Sequence, residues 1–186
     1  MKITPAEIPE ILIIEPDVYG DSRGFFMETW NQKIYAECGL DVDFVQDNYS
    51  RSEQGVLRGL HYQLEKPQGK LVRVSNGVVF DVAVDVRVGS PTFSQYCAIE
   101  LSADNFKQLY IPPGFAHGFC VLSESADFIY KCTDFYAPEY EHGILWNDPA
   151  ISIEWPATDF KISEKDANNK LLKDMSGQLP VYIGSL

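Results

Sequence analysis

Val78-Val79-Phe80-Asp81-Val82-Ala83-Val84-Asp85-Val86-Arg87-Val88 is the stretch on which the fold turns. Every even position is apolar, and Asp81, Asp85 and Arg87 share the odd face. Alternation with period two marks a β-strand that has one face on a core. Just upstream, Lys70-Leu71-Val72-Arg73-Val74-Ser75 alternates too, and Asn76-Gly77 separates the two runs. Asn-Gly between alternating segments is a strong hairpin signal, so the two runs are expected to pair.

Working outward, further strands are expected over 96–101, 106–111, 118–122, 128–133 and 151–155. Turn residues punctuate them at Gly89-Ser90-Pro91, Ala103-Asp104-Asn105 and Pro112-Pro113-Gly114. Many short strands at this spacing read as an all-β antiparallel sandwich or barrel, best a jelly roll. Helical signal is peripheral. Residues 31–38 form a short helix stopped by Gly39, and Ser163-Glu164-Lys165-Asp166 opens another with a capping-box-like pattern. No repeat or linker divides the 186 residues, so one domain is expected.

Net charge is −12, which argues against nucleic-acid binding, although a few focused cations can still hold an anionic ligand. No apolar run approaches the ~20 residues of a membrane helix, and a cytoplasmic location is expected. Cys38, Cys97, Cys120 and Cys132 are too widely spaced for a metal motif and read as reduced thiols.

Chemistry centres on few residues. The histidines are His61, His117 and His142. Metal sites need three or four converging ligands, but Gly59-Leu60-His61-Tyr62-Gln63 carries Gln where a metal cupin has its second His. His61 therefore reads as a base or hydrogen-bonding group, and no metal is expected. Strand parity puts Arg58 and His61 on opposite faces unless Gly59 permits a bulge. Arg23, Arg58, Lys70 and Lys165 stand in polar or Gly-containing contexts. Each alone reads as a solvated charge; together they would form a phosphate-binding set.

Seven segments then spell a recognisable pattern. They are Gly20 to Glu28, Gln46 to Ser50, Val56 to Gln63, Pro112 to Phe119, Tyr130 to Thr133, Gly143 to Asp148 and Ser163 to Asp166. In order and content they resemble the dTDP-4-dehydrorhamnose 3,5-epimerase family, over residues 13 to about 172. The tail, 176–186, falls outside the resemblance.

That resemblance implies a cupin-like homodimer needing no metal or other cofactor. Its substrate would be a dTDP-4-keto-6-deoxy sugar, dTDP-4-dehydro-6-deoxy-D-glucose, and its product dTDP-4-dehydro-L-rhamnose. His61 falls on the base position, Tyr130 on the acid, and Asp166 on the group orienting the histidine. Lys70 falls where an enolate oxygen would be stabilised. Arg23, Glu28, Gln46, Asn48, Arg58, His117, Glu141 and Lys165 match substrate-contacting positions, and Tyr136 is the reserve acid. Plainer roles compete: Tyr130 as a core tyrosine, Asp166 as a helix-start acid, His117 as a loop residue. A single-carbon epimerase, a 3,4-ketoisomerase and a metal-dependent cupin are the alternative activities.

Overall fold

Strand pairing decides which residues can meet. The structure, a computed structural model, describes residues 1–184. In chain order its strands begin with β1 (Lys2–Pro5), β2 (Leu12–Glu15), β3 (Val18–Asp21), β4 (Gly24–Met27), β5 (Gln46–Glu53), β6 (Val56–Gln63) and β7 (Lys70–Asn76). There follow β8 (Val78–Asp85), β9 (Tyr96–Ser102), β10 (Gln108–Ile111), β11 (Phe115–Val121), β12 (Ser125–Cys132), β13 (Glu141–Gly143) and β14 (Lys161–Ile162). The helices are short: α1 (Gln32–Glu37), capped by the Asn31 side chain, and α2 (Glu164–Ala167), capped by Ser163.

One sheet has the order β1-β2-β10-β7-β12-β5; the other runs β13-β6-β11-β8-β9, with β14 beside β6. β3 and β4 form a separate hairpin. The fold is the cupin-like jelly roll. Val72, Val74, Val79, Ala83, Leu109, Phe119 and Phe128 fill the space between the sheets. A second cluster, including Leu60, Tyr62, Val82 and Val84, lies under Ile144, Leu172 and Met175 on the outer side of the second sheet.

Four sequence expectations need correction. Asn76-Gly77 does not close a hairpin: β7 pairs with β10 and β12, whereas β8 pairs with β9 and β11 in the opposite sheet. The dipeptide turns a corner between sheets. Gly77 has φ +79°, and a Cβ there would meet the Ser125 carbonyl oxygen at 2.0 Å. Alternation reports which face a side chain takes, not which strand lies alongside.

β8 has a core on both faces, not one. Asp81 and Asp85 are fully buried on its supposedly polar side. Asp85 is satisfied locally by Arg87, Ser90 and Thr92. Asp81 has a different partner, described below.

Residues 151–155 form no strand. The Ile151 and Ser152 amides both donate to the Asp148 carbonyl, and Ser152 takes φ +54°, so the chain curls away from either sheet. Similarly, β10 starts at Gln108 because Phe106 lies at φ +56°. The tail from Ser176 packs back on the second sheet: Tyr62 Oη donates to the Gln178 carbonyl, and Val181 bridges to Val88. Ser185 and Leu186 lie outside the described residues.

Gly118 on β11 is pressed against β6. A Cβ at this position would stand 2.6 Å from the Arg58 carbonyl oxygen and 3.0 Å from Leu60. Backbone atoms yield little, so Gly118→Ala is expected to cost roughly 2–3 kcal/mol of stability, the range for overpacking. Urea unfolding of the two proteins measures it.

Candidate active site

Between the sheets, at one mouth of the jelly roll, lies a cavity of about 490 Å³. Gln46, Asn48 and Ser50 of β5, Lys70 of β7, and Phe128, Tyr130 and Cys132 of β12 line one wall. Arg58, His61 and Gln63 of β6, with His117 and Phe119 of β11, line the other.

A bulge brings Arg58 and His61 to the same side. β11 pairs His117 with His61 and Phe119 with Arg58, so two steps on β11 match three on β6. The extra residue breaks the period-two alternation. Gly59 takes φ +116°, and a Cβ there would stand 2.5 Å from Gly118 Cα. The conditional reading of the sequence is met by its bulge branch.

His61 Nε2 lies 2.7 Å from Asp166 Oδ1. An ionised carboxylate only accepts, so Nε2 carries a hydrogen, and in the neutral ring the lone pair is then on Nδ1. Asp166 Oδ2 also accepts the Gly59 amide hydrogen at 3.3 Å, and the Asp166 amide donates to Ser163 Oγ at 3.1 Å. α2 thereby presents its third residue to β6. Burial works to raise the Asp166 pKa, but the bonds from His61, Gly59 and Ser163 outweigh it and hold the carboxyl below its ordinary value. The His61 side chain is 26% exposed, against 5% for Asp166, so a ligand reaches the imidazole but not the carboxylate.

Tyr130 faces these groups from the other sheet. Burial raises its pKa, which keeps the phenol protonated at neutral pH. Lys70 lies in register with Cys132, and its Nζ donates to the His61 carbonyl at 3.5 Å. Burial disfavours the ammonium and lowers its pKa. The Cys132 thiol, pushed up to about 11 by burial, stays neutral beside it.

At the mouth, Glu141 accepts from Tyr136 Oη at 3.0 Å and pairs with Lys165. The Tyr136 amide donates to Gln46 Oε1 at 2.8 Å, and Gln46 Nε2 donates to Asn48 Oδ1 at 3.0 Å. Arg58 is steadied by Ser52, whose Oγ accepts from Nε at 3.0 Å.

Of the twelve site positions expected, ten meet at this cavity. Arg23 and Glu28 do not. Arg23 sits at the tip of the β3–β4 hairpin, paired with Asp21 and exposed. Glu28 accepts from Asn31 Nδ2 at 3.1 Å.

Sequence reading missed Ser50, Gln63, Phe128 and Cys132 in the cavity wall, and Asp81 behind it. His117 Nε2 approaches the Asp81 oxygens at 2.9 and 3.1 Å, and its ring stacks on Phe128 at 5.9 Å. No sequence signal marked Asp81, because alternation set the odd face of β8 away from the core. Gln63 ties two loops together, donating to the Lys66 carbonyl at 2.8 Å and accepting from the Ala137 amide at 2.9 Å. Among the described residues, no three His, Cys, Asp or Glu side chains are grouped to hold a metal.

A family model described as dTDP-4-dehydrorhamnose 3,5-epimerase matches residues 5–174. The dTDP-4-dehydrorhamnose 3,5-epimerase of Pseudomonas aeruginosa is 58% identical over 176 residues, covering 94% of this chain and 97% of that one. Among solved structures, the dTDP-6-deoxy-D-glucose-3,5-epimerase of Legionella pneumophila, in complex with dTDP-4-keto-L-rhamnose, is 54% identical with a TM-score of 0.95. That match covers 98% of this chain and 99% of the other. A 3'-monoepimerase from Streptomyces bikiniensis in complex with dTDP-quinovose is 32% identical with a TM-score of 0.90, over 96% and 93% of the two chains.

Proposed function

This chain belongs to the dTDP-4-dehydrorhamnose 3,5-epimerase family, and from that premise we propose a proton transfer across the cavity, with His61 as base and Tyr130 as acid. The enzyme is an isomerase that inverts carbons 3 and 5 of dTDP-4-dehydro-6-deoxy-D-glucose to give dTDP-4-dehydro-L-rhamnose. The observation that carries the residue roles is that His61 and Tyr130 reach one cavity from opposite sheets. Inversion needs exactly such a pair of faces: one face loses a proton and the other gains one.

The ketone at carbon 4 acidifies the protons on carbons 3 and 5, since removal of either leaves an enolate. His61 Nδ1 takes the proton, and Asp166 stabilises the imidazolium formed. The Lys70 ammonium meets the negative charge developing on the carbon-4 oxygen. Tyr130 returns a proton from the far side of the ring, and solvent restores both groups between turnovers. Arg58 and Lys165, at the mouth, are the cations for the diphosphate, while Gln46, Asn48, His117 and Glu141 hold the remaining polar groups. No cofactor enters this scheme.

We further propose a homodimer. Tyr19, Phe25 and Phe26 are exposed on a two-stranded hairpin that joins neither sheet, and such a ribbon is marginal alone. Packed on a second copy, it would carry Arg23 and Glu28 towards that copy's cavity. Light scattering should then give the mass of two chains; a monomer at micromolar concentration would remove this part. The whole chain is taken as one domain, and its free thiols fit the reducing cytoplasm.

The deciding experiment is turnover of dTDP-4-dehydro-6-deoxy-D-glucose in deuterated water with a partner reductase. Deuterium at both carbons, with formation of dTDP-L-rhamnose, is expected. Exchange at one carbon alone would make the enzyme a single-site epimerase, and migration of the keto group would make it a ketoisomerase.

A further inference from the structure

Two histidines in this cavity are each held by an aspartate, yet the aspartates stand in different circumstances. His61 and His117 are direct partners across the β6–β11 ladder. Opposed residues on antiparallel strands lie about 5 Å apart, so both rings meet the same pyranose. In each ring Nε2 faces the carboxylate, and Nδ1 makes no hydrogen bond among the described residues.

Asp166 shares its charge among His61, the Gly59 amide and Ser163. Asp81 is fully buried, and among the described residues its only hydrogen-bond partner is the His117 ring. A buried carboxylate without a counter-charge is strongly disfavoured, so the pair is stable when its imidazole is charged. Other titratable groups near it offer less. The Cys97 thiol on β9 is pushed up to about 11 and stays neutral. Lys70 on β7 feels the Asp81 charge, but its Nζ donates to the His61 carbonyl and makes no hydrogen bond to Asp81. Tyr130 on β12 is held protonated and neutral by burial, and His61 on β6 is engaged by its own aspartate.

We propose that His117 and Asp81 form a standing ion pair whose imidazolium Nδ1–H donates to the carbon-4 oxygen as the enolate forms, with Asp81 the positioning residue. The two histidines then do opposite work. His61 presents a lone pair to carbon-bound hydrogen, and His117 presents a hydrogen to the oxygen that gains charge, beside the Lys70 ammonium. This inference rests on the epimerase reading and adds a second donor to the oxygen it activates.

Nitrogen-15 histidine spectra of the substrate-free protein test the charge state without any variant. Only three histidines must be resolved. His117 is expected to show two protonated ring nitrogens in the neutral buffer used for turnover. Asp81→Asn should convert it to the neutral ring, lower the initial rate of deuterium incorporation by about 100-fold, and change the Kd for dTDP by less than about threefold. A neutral His117 in the unaltered protein, or D81N exchange within threefold of normal, overturns the proposal. His61→Asn run in parallel separates the two readings: loss of exchange there with normal exchange in D81N leaves the base standing and removes the ion pair. Exchange that survives in His61→Asn but falls 100-fold in D81N removes the base and keeps the ion pair.

Discussion

His61→Asn is expected to lower kcat for epimerisation by three to four orders of magnitude, about the loss seen when a catalytic imidazole is removed from a positioned acid–base set. Asparagine is too short to supply the hydrogen that Nε2 gives Asp166, but the Gly59 amide and Ser163 still hold that residue, and with it α2, against β6. What disappears is the lone pair on Nδ1. Binding of dTDP should change little, because the diphosphate cations are Arg58 and Lys165 at the mouth, whereas His61 lies deeper, next to Lys70. Steady-state kinetics and calorimetric titration with dTDP check both halves. A variant retaining a tenth of normal turnover would take His61 out of the base role.

Tyr130→Phe should separate two events that coincide in the unaltered enzyme. Formation of inverted product is expected to fall by about 1000-fold, within the range for loss of a general acid. Deuterium incorporation into unepimerised substrate should continue, since His61 still removes and returns a proton on its own face. Mass spectrometry reads the exchange, and the coupled reductase reads the inversion. If both vanish together, Tyr130 acts in binding or in enolate formation instead.

The alkaline limb distinguishes Tyr130 from its neighbour Lys70. Burial raises the Tyr130 pKa and lowers that of Lys70. As pH rises, the ammonium is therefore lost before the phenol, and turnover should decline below the ordinary lysine range. Tyr130→Phe should keep the same decline in its exchange rate, because the Lys70 charge that supports enolate formation is untouched.

Much of this enzyme was legible in the chain itself. Period-two alternation along 78–88 marked a strand that runs from Val78 to Asp85, turn residues set the all-β class, and Ser163 with an acid at Asp166 marked the start of α2. Ten of the twelve expected site positions lie together in one cavity, eight of them within family-like segments. These are local signals, carried by neighbours in the chain, and a strand's side-chain parity needs nothing else to be read.

Tertiary structure alone decided the rest, for reasons of long-range contact. That Asn76-Gly77 turns between sheets depends on which strands flank β7 and β8, and alternation holds no record of that. The Gly59 bulge exists because β11 packs so close that no Cβ fits, which sets Arg58 and His61 side by side. Asp81 looked like a solvated charge until β11 placed His117 beside it and the opposite sheet closed the space. Arg23 and Glu28 stand away from the cavity because their hairpin joins neither sheet. A side chain's face is a property of its strand; what covers that face is a property of the whole fold.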